Sequence, residues 1–194
     1  MGVPSRNPHP MTAEEFFAFT QTRPDAEKWQ LIEGEPVLNA SASRLHQRIV
    51  GNLFATLKRF EQEQKRLGSL EWEVLPGIGV RLSSVNVPVP DVLVRPFDDL
   101  QGVECDDMIV AFEVLSPSTA DHDLRWKRKA YAGLASLQHY VVIAQDAVEV
   151  VAYDRSNGFA ERRLEKIGAA LELPAIAVSV PLAEIYQDTR LAPA

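Results

Sequence analysis

The chain has 194 residues, is 46% hydrophobic and carries 20 basic against 27 acidic residues. That is the length and apolar content of one globular domain, with a balance too negative to coat nucleic acid by bulk charge, although a local basic patch stays open. A single cysteine, Cys105, leaves no intramolecular disulfide and no Cys-rich metal site, as suits a reducing cytosol. Apolar stretches stay short of the roughly 18 residues of a membrane span, and the N-terminus has no signal-like core, so a cytoplasmic protein without a membrane association is expected.

Residues 1–10 hold three prolines and little to bury, and read as a disordered leader to a domain over 11–190. Thr12-Ala-Glu-Glu15 has capping-box spacing ahead of Phe16, Phe17 and Phe19, which predicts a short helix. The stretch from Trp29 to Leu38 predicts a hairpin turning at Glu33-Gly34-Glu35-Pro36, with Pro36 confining the second arm to a sheet edge. From Ser43 to Leu67 apolar residues recur every three or four positions, and Gly68 is a stop, so this is the principal helix. Its mixed-charge second half, residues 58–66, reads as a solvated face. Strands are expected over 70–75, 78–82 and 87–94, with a tight antiparallel connection at Pro76-Gly77 and a splayed, proline-bearing start to the third.

The acidic segment from Asp98 to Asp107 reads as an exposed loop, and Met108 to Leu115 as a strand covered on both faces. Asp121 or Asp123 can cap a helix over 122–135, and His139 to Ala144 is again a strand. Residues 148–153 and 159–165 suggest a hairpin around Asn157-Gly158, and Pro181 to Tyr186 a terminal helical turn. The order predicts an α+β fold: a mixed β-sheet flanked by helices, with additional N-terminal and C-terminal β-hairpins.

Glu113 is a lone carboxylate inside an apolar run, and Asp91 is the charged residue of the strand before it. A buried carboxylate is costly without a cation, a metal or several donors. If the two strands pair, their carboxylates, with carbonyl oxygens and water, match a Mg²⁺ site able to polarise a phosphodiester. The plainer possibility is that Asp91 caps a turn and Glu113 pairs with a buried arginine. Asp123, Lys127 and Tyr131 stand at i, i+4 and i+8, so one helix side carries all three, either toward the carboxylates or as an ordinary ion pair beside a core tyrosine. Arg125, Lys127, Arg128 and Lys129 around Trp126 form a dense basic cluster, suited to a nucleic-acid backbone or simply to solvent. His46, in the first turn of the long helix, can reach phosphate or metal or satisfy local packing, and Glu33 can approach the same place or belong to its turn. Ser116, Ser118 and Thr119 lack the frame of a nucleophile, and Gly77 and Gly79 are too few for a phosphate loop.

Taken together, Trp29-Gln-Leu-Ile-Glu-Gly34, His46, Pro90-Asp91-Val, Glu113-Val-Leu-Ser-Pro-Ser-Thr119, Asp123-x-x-x-Lys127-x-x-x-Tyr131 and Tyr140-Val-Val-Ile resemble the Uma-two family of endonucleases. That family lies in the restriction-endonuclease-like, or PD-(D/E)XK, superfamily. The resemblance spans nearly all of the chain after residue 10. It implies a helix, three meander strands, a crossover helix and a fourth strand, and a Mg²⁺- or Mn²⁺-dependent endonuclease acting on DNA. In that scheme Asp91, Glu113 and the Val114 carbonyl bind the metal, and Glu33, His46, Asp123 and Tyr131 support the site. The lysine usual two residues after the second acid is Leu115 here, so Lys127 is the candidate replacement, and Ser136-Leu-Gln-His-Tyr140 lacks the Glu-Tyr-Trp of many members. Two alternatives stand beside this: a nuclease-fold binding or regulatory module without turnover, and an unrelated α+β enzyme with a structural acidic pair. The sheet edges would suit a homodimer.

Overall fold

The computed structural model describes residues 9–24, 26–39, 41–99, 102, 104–115 and 120–192, and for 120–124 the backbone alone. The leader expected over residues 1–10 therefore falls mostly outside the described residues, as do Ser116, Ser118 and Thr119. In chain order the elements are α1 (Ala13–Thr20), β1 (Trp29–Ile32), β2 (Glu35–Leu38), α2 (Arg44–Leu67), β3 (Trp72–Pro76), β4 (Gly79–Val80), β5 (Val92–Pro96), β6 (Glu104–Cys105), β7 (Val110–Leu115), α3 (Ala120–Ala132), β8 (His139–Ala144), β9 (Val150–Asp154), β10 (Glu161–Leu164), β11 (Ala170–Leu173), β12 (Val178–Pro181) and α4 (Leu182–Ile185).

Six strands form one mixed sheet in the order β10-β9-β8-β7-β5-β3. Only β7 and β8 run parallel, because α3 carries the chain across between them; the other neighbours are antiparallel. The expected α+β architecture is present. One face of the sheet packs on α2 through Ile49, Leu53 and Leu57 and on the β11–β12 hairpin and α4 through Leu171, Val180, Leu182 and Tyr186. On the other face, Leu93, Ala111, Tyr140 and Val142 meet Tyr131 of α3, with Val80 and Met108. Burial on both faces explains why β7 and β8 read as unbroken apolar runs.

Local signals account for several boundaries. Thr12 and Glu15 exchange both bonds of the capping box. Ser43 caps α2 through the His46 amide, and Gly68 ends it in the left-handed conformation at φ 76°. The β1–β2 turn consists of Glu33 and Gly34 alone, with φ of 50° and 79°, as a two-residue type I′ turn requires. Pro36 thus lies within β2 rather than in the turn.

Other expectations are corrected. Pro76-Gly77 does not join two adjacent strands: β3 pairs with β5, and residues 78–90 leave the sheet. There β4 pairs in parallel with β6, while Val87 bridges Leu31 of β1. Pro88 and Pro90 lack the amide protons that a ladder needs, which keeps this segment out of the main sheet. Of the acidic segment expected to be exposed, the described Asp98, Glu104 and Asp107 are held by arginines: Arg95 donates to Asp98 and Asp107 as well as Glu73, and Arg81 pairs with Glu104. α3 begins at Ala120, so Asp121 and Asp123 lie inside it and neither is its cap. Six residues join β9 to β10, with a 3₁₀ turn over Arg155–Asn157 and Gly158 left-handed, in place of a two-residue Asn-Gly turn. The β11–β12 hairpin was not anticipated. No described helix is long and apolar enough to cross a membrane.

The second half of α2 is not wholly a solvated face. Glu61 is 8% exposed, and its Oε2 accepts the Val74 amide at 2.9 Å, while Lys58 pairs with Oε1. Because β3 is an edge of the sheet, this carboxylate occupies a donor that would otherwise invite a foreign strand. Replacing Glu61 with Ala would leave the buried Val74 amide without an acceptor, and urea unfolding should show a loss of about 2 kcal/mol.

Candidate active site

The antiparallel register of β5 and β7 pairs Val92 with Phe112, Leu93 with Ala111 and Val94 with Val110. One step further sets Asp91 opposite Glu113, and side-chain alternation turns both toward the face that carries Leu93, Ala111 and α3. Backbone bonds hold this arrangement: the Asp91 amide donates to the Phe112 carbonyl at 3.1 Å, and the Val114 amide donates to Asp91 Oδ2 at 2.7 Å. Asp91 is therefore not a turn cap. Its carboxylate is clipped to the neighbouring strand.

From α3, Lys127 and Tyr131 reach the same carboxylate oxygen. Lys127 Nζ donates to Glu113 Oε1 at 2.8 Å, and the Tyr131 hydroxyl donates to it at 3.2 Å. Their i, i+4 spacing puts both on the helix side facing the sheet. From α2, His46 Nε2 lies 3.3 Å from Asp91 Oδ1, and the Val114 carbonyl is a further hydrogen-bonding neighbour of its ring. Two helices thus converge on two adjacent strand residues.

Burial dominates the electrostatics. Removal from water pushes the Glu113 carboxyl up to about 7, with the nearby Asp91 charge adding to the rise and Lys127 opposing it. Tyr131 is held well above the ordinary phenol value by burial and by the charge of Glu113. For His46, burial works against the charged form, but the bond and charge of Asp91, then Glu113 and the Val114 carbonyl, outweigh it and raise its pKa. The site so favours protons or cations between its carboxylates.

Of the residues singled out from sequence, Asp91, Glu113, Val114, Lys127, Tyr131 and His46 come together. Glu33 does not join them among its described contacts: it is exposed, in the left-handed turn of the β1–β2 hairpin, with its amide on Asn86 Oδ1. Asp123 lies on α3, with its side chain outside the described residues. Glu113 pairs with a lysine and not an arginine; the buried arginine is Arg95, held by Glu73, Asp98 and Asp107. Leu115 packs with the apolar cluster beneath α3 and supplies no charge. Sequence reasoning passed over Gln30, which is 6% exposed on β1 with its Oε1 lacking a hydrogen-bond partner. A polar residue within Trp29-Gln-Leu-Ile was the available signal. The Val114 amide that fixes Asp91 left none, being backbone.

No group of three or more His, Cys, Asp or Glu side chains arranged for a metal occurs among the described residues. Two carboxylates and a carbonyl are a donor set for a hard cation that keeps much of its water, such as Mg²⁺.

The raised Glu113 pKa has a stability consequence. The folded protein holds this proton more tightly than the unfolded chain, so its contribution is full below the ordinary carboxyl value and is lost as pH rises toward 7. His46 acts in the same sense, its contribution falling as pH rises through its elevated value. Unfolding of the metal-free protein in urea between pH 5 and 7.5 should show the wild type losing on the order of 2 kcal/mol relative to Glu113→Gln, whose amide does not titrate.

Comparison with known proteins bears on this geometry. A model of the family Uma2, described as "Putative restriction endonuclease", matches residues 13–183. The structure is also similar to a crystal structure described as "a putative nuclease belonging to DUF820" from Anabaena variabilis, with a TM-score of 0.72 and 15% identity over 91% of this chain and 97% of that one. At that identity the likeness concerns the fold. No curated protein matches the sequence.

Proposed function

From a chain that belongs to the Uma2 family, and from two carboxylates brought opposite one another beneath a lysine-bearing helix, we propose a metal-dependent endonuclease that hydrolyses DNA phosphodiester bonds. The observation that carries this reading is the register that faces Asp91 with Glu113, with Lys127 on Glu113 and the Val114 carbonyl alongside. Asp91, Glu113 and the Val114 carbonyl would hold Mg²⁺ or Mn²⁺. Such an ion polarises the phosphodiester and acidifies a water.

The remaining chemistry falls to the chain's own groups. Lys127 brings a positive charge to the carboxylate edge, where it can orient the attacking water and stabilise the charge that builds on the pentacovalent phosphate. Tyr131 fixes Glu113 from the buried side, so that the carboxylate cannot turn into the core. His46 and the Val114 amide take one oxygen of Asp91 each, which sets its plane. Asp123 and Glu33 would support the site only through contacts made outside those described above.

The second reading, a nuclease-fold binding or regulatory module, is favoured by one feature: Lys127 is already paired with Glu113, and residue 115 offers no other ammonium. Calorimetric titration separates the two, because the module predicts no uptake of Mn²⁺ or Mg²⁺. The cytoplasm suits the composition, and the exposed Val37 and Leu38 of the β2 edge would suit a homodimer, which sedimentation would read.

Purified protein with Mn²⁺ should nick plasmid DNA. Asp91→Ala and Glu113→Ala should abolish cleavage, and Lys127→Met should lower it about 100-fold or more while leaving metal uptake in place. Cleavage that persists in folded Asp91→Ala and Glu113→Ala proteins would overturn the assignment.

A further inference from the structure

In a chain of net charge −7, no Asp or Glu occurs between Glu35 and Glu61, whereas Arg44, Arg48, Lys58 and Arg59 do. The later pair is neutralised, Lys58 by Glu61 and Arg59 by Glu184. Arg44 and Arg48 are exposed, one helical turn apart, and have no acidic partner among the described residues. That sets them apart from Arg66, Arg81, Arg95, Arg162 and Arg163, each of which is held by a carboxylate.

These two arginines line an open groove of about 520 Å³ with Gln47, Gly51 and Asn52. Asn52 closes its far end by donating to the carbonyls of Ile185 and Gln187. At Gly51 no atom stands within 4 Å of where a Cβ would be. Glycine in a helix interior is unfavourable, and nothing packed against it here requires the missing side chain. What its absence does provide is room for a partner's backbone to approach the helix closely.

The groove starts at the same end of α2 as His46 but lies on the helix side turned away from it. Arg44 precedes by two residues His46, whose ring bonds Asp91, and the groove then follows the outward side of α2. From Arg44 to Asn52 the helix rises about 12 Å. A duplex presents a phosphate about every 3.4 Å of its axis on each strand, so this length matches three or four of them.

We propose that this outward face of α2, centred on Arg44, Gln47, Arg48 and Gly51, is the surface that receives the phosphodiester backbone of duplex DNA. The proposal rests on the nuclease reading for the identity of the partner. The groove supplies unneutralised guanidinium groups, which bind phosphate in a fork, and a side-chain-free position at which the backbone can settle. It thereby offers an acidic chain a way to hold a polyanion: an acid-free helix face whose two guanidinium groups have no carboxylate partner among the described residues.

The test is fluorescence anisotropy of a labelled DNA duplex in EDTA, titrated with the full chain across a salt series. Arg44→Gln/Arg48→Gln should weaken binding at least tenfold and lower the slope of log affinity against log salt by about 1.8, the loss of two phosphate contacts. Gly51→Glu, a change favourable to the helix itself, should weaken binding without lowering thermal stability, whereas Arg66→Gln, at an arginine already paired, should leave binding unchanged. Unaltered affinity and slope in the double variant would overturn this surface while leaving the cleavage assignment intact. Arginine-dependent binding by a wild type that does not cleave would retain the surface and remove the nuclease reading. Absence of binding by the wild type at low salt would overturn this surface, and the Mn²⁺ cleavage assay would still decide the nuclease reading.

Discussion

The structure depends on a short piece of register: the antiparallel pairing that carries β5 and β7 one residue beyond Val92 and Phe112, to Asp91 and Glu113. Two carboxylates at neighbouring cross-strand positions repel each other, and removal from water makes the repulsion more costly. The fold answers from every side. Lys127 and Tyr131 come from the helix above, His46 from the helix below, and the Val114 amide from the strand itself. A one-residue slip of either strand would turn its acid to the opposite face, against Ile49 and Leu53, so the apolar core enforces the polar geometry.

The same arrangement brings the ammonium that pairs with Glu113 from α3 and not from its own strand. Leu115 shares the strand face of Glu113 but packs into the apolar cluster under α3. The ammonium arrives instead from the helix, at the carboxylate rather than beside it. Lys127 sits one helical turn from Tyr131, whose ring is in edge contact with Tyr140 of β8.

Much of this was legible in the chain. The capping box at Thr12, the long amphipathic α2 closed by Gly68, and the apolar runs of β7 and β8 each carry a local physical signal, and each element formed where the signal lay. Glu113 stood out because a lone acid in such a run demands a partner, and the spacing of Lys127 and Tyr131 supplied one. What failed had non-local causes. Residues 78–82 alternate like a sheet strand, yet they pair with β6 and leave β3 to find β5, a choice made by the prolines at 88 and 90 and by contact with β1. Glu33 and Gln30 were ranked by charge, whereas the hairpin exposes the first and buries the second. Glu61 looked like surface charge because nothing in its own segment announces the unsatisfied edge of β3.

The parallel pairing of β7 with β8 bears on the order in which the protein becomes competent. Asp91 and Glu113 can meet as soon as a simple antiparallel pair forms, but Lys127 sits on a crossover helix whose underside rests on Tyr140 of β8. Parallel strands must wait for the intervening chain, and such pairing is slow to nucleate. The acids thus need only β5 and β7 to be paired, whereas the complete site also needs β8 in place beneath α3.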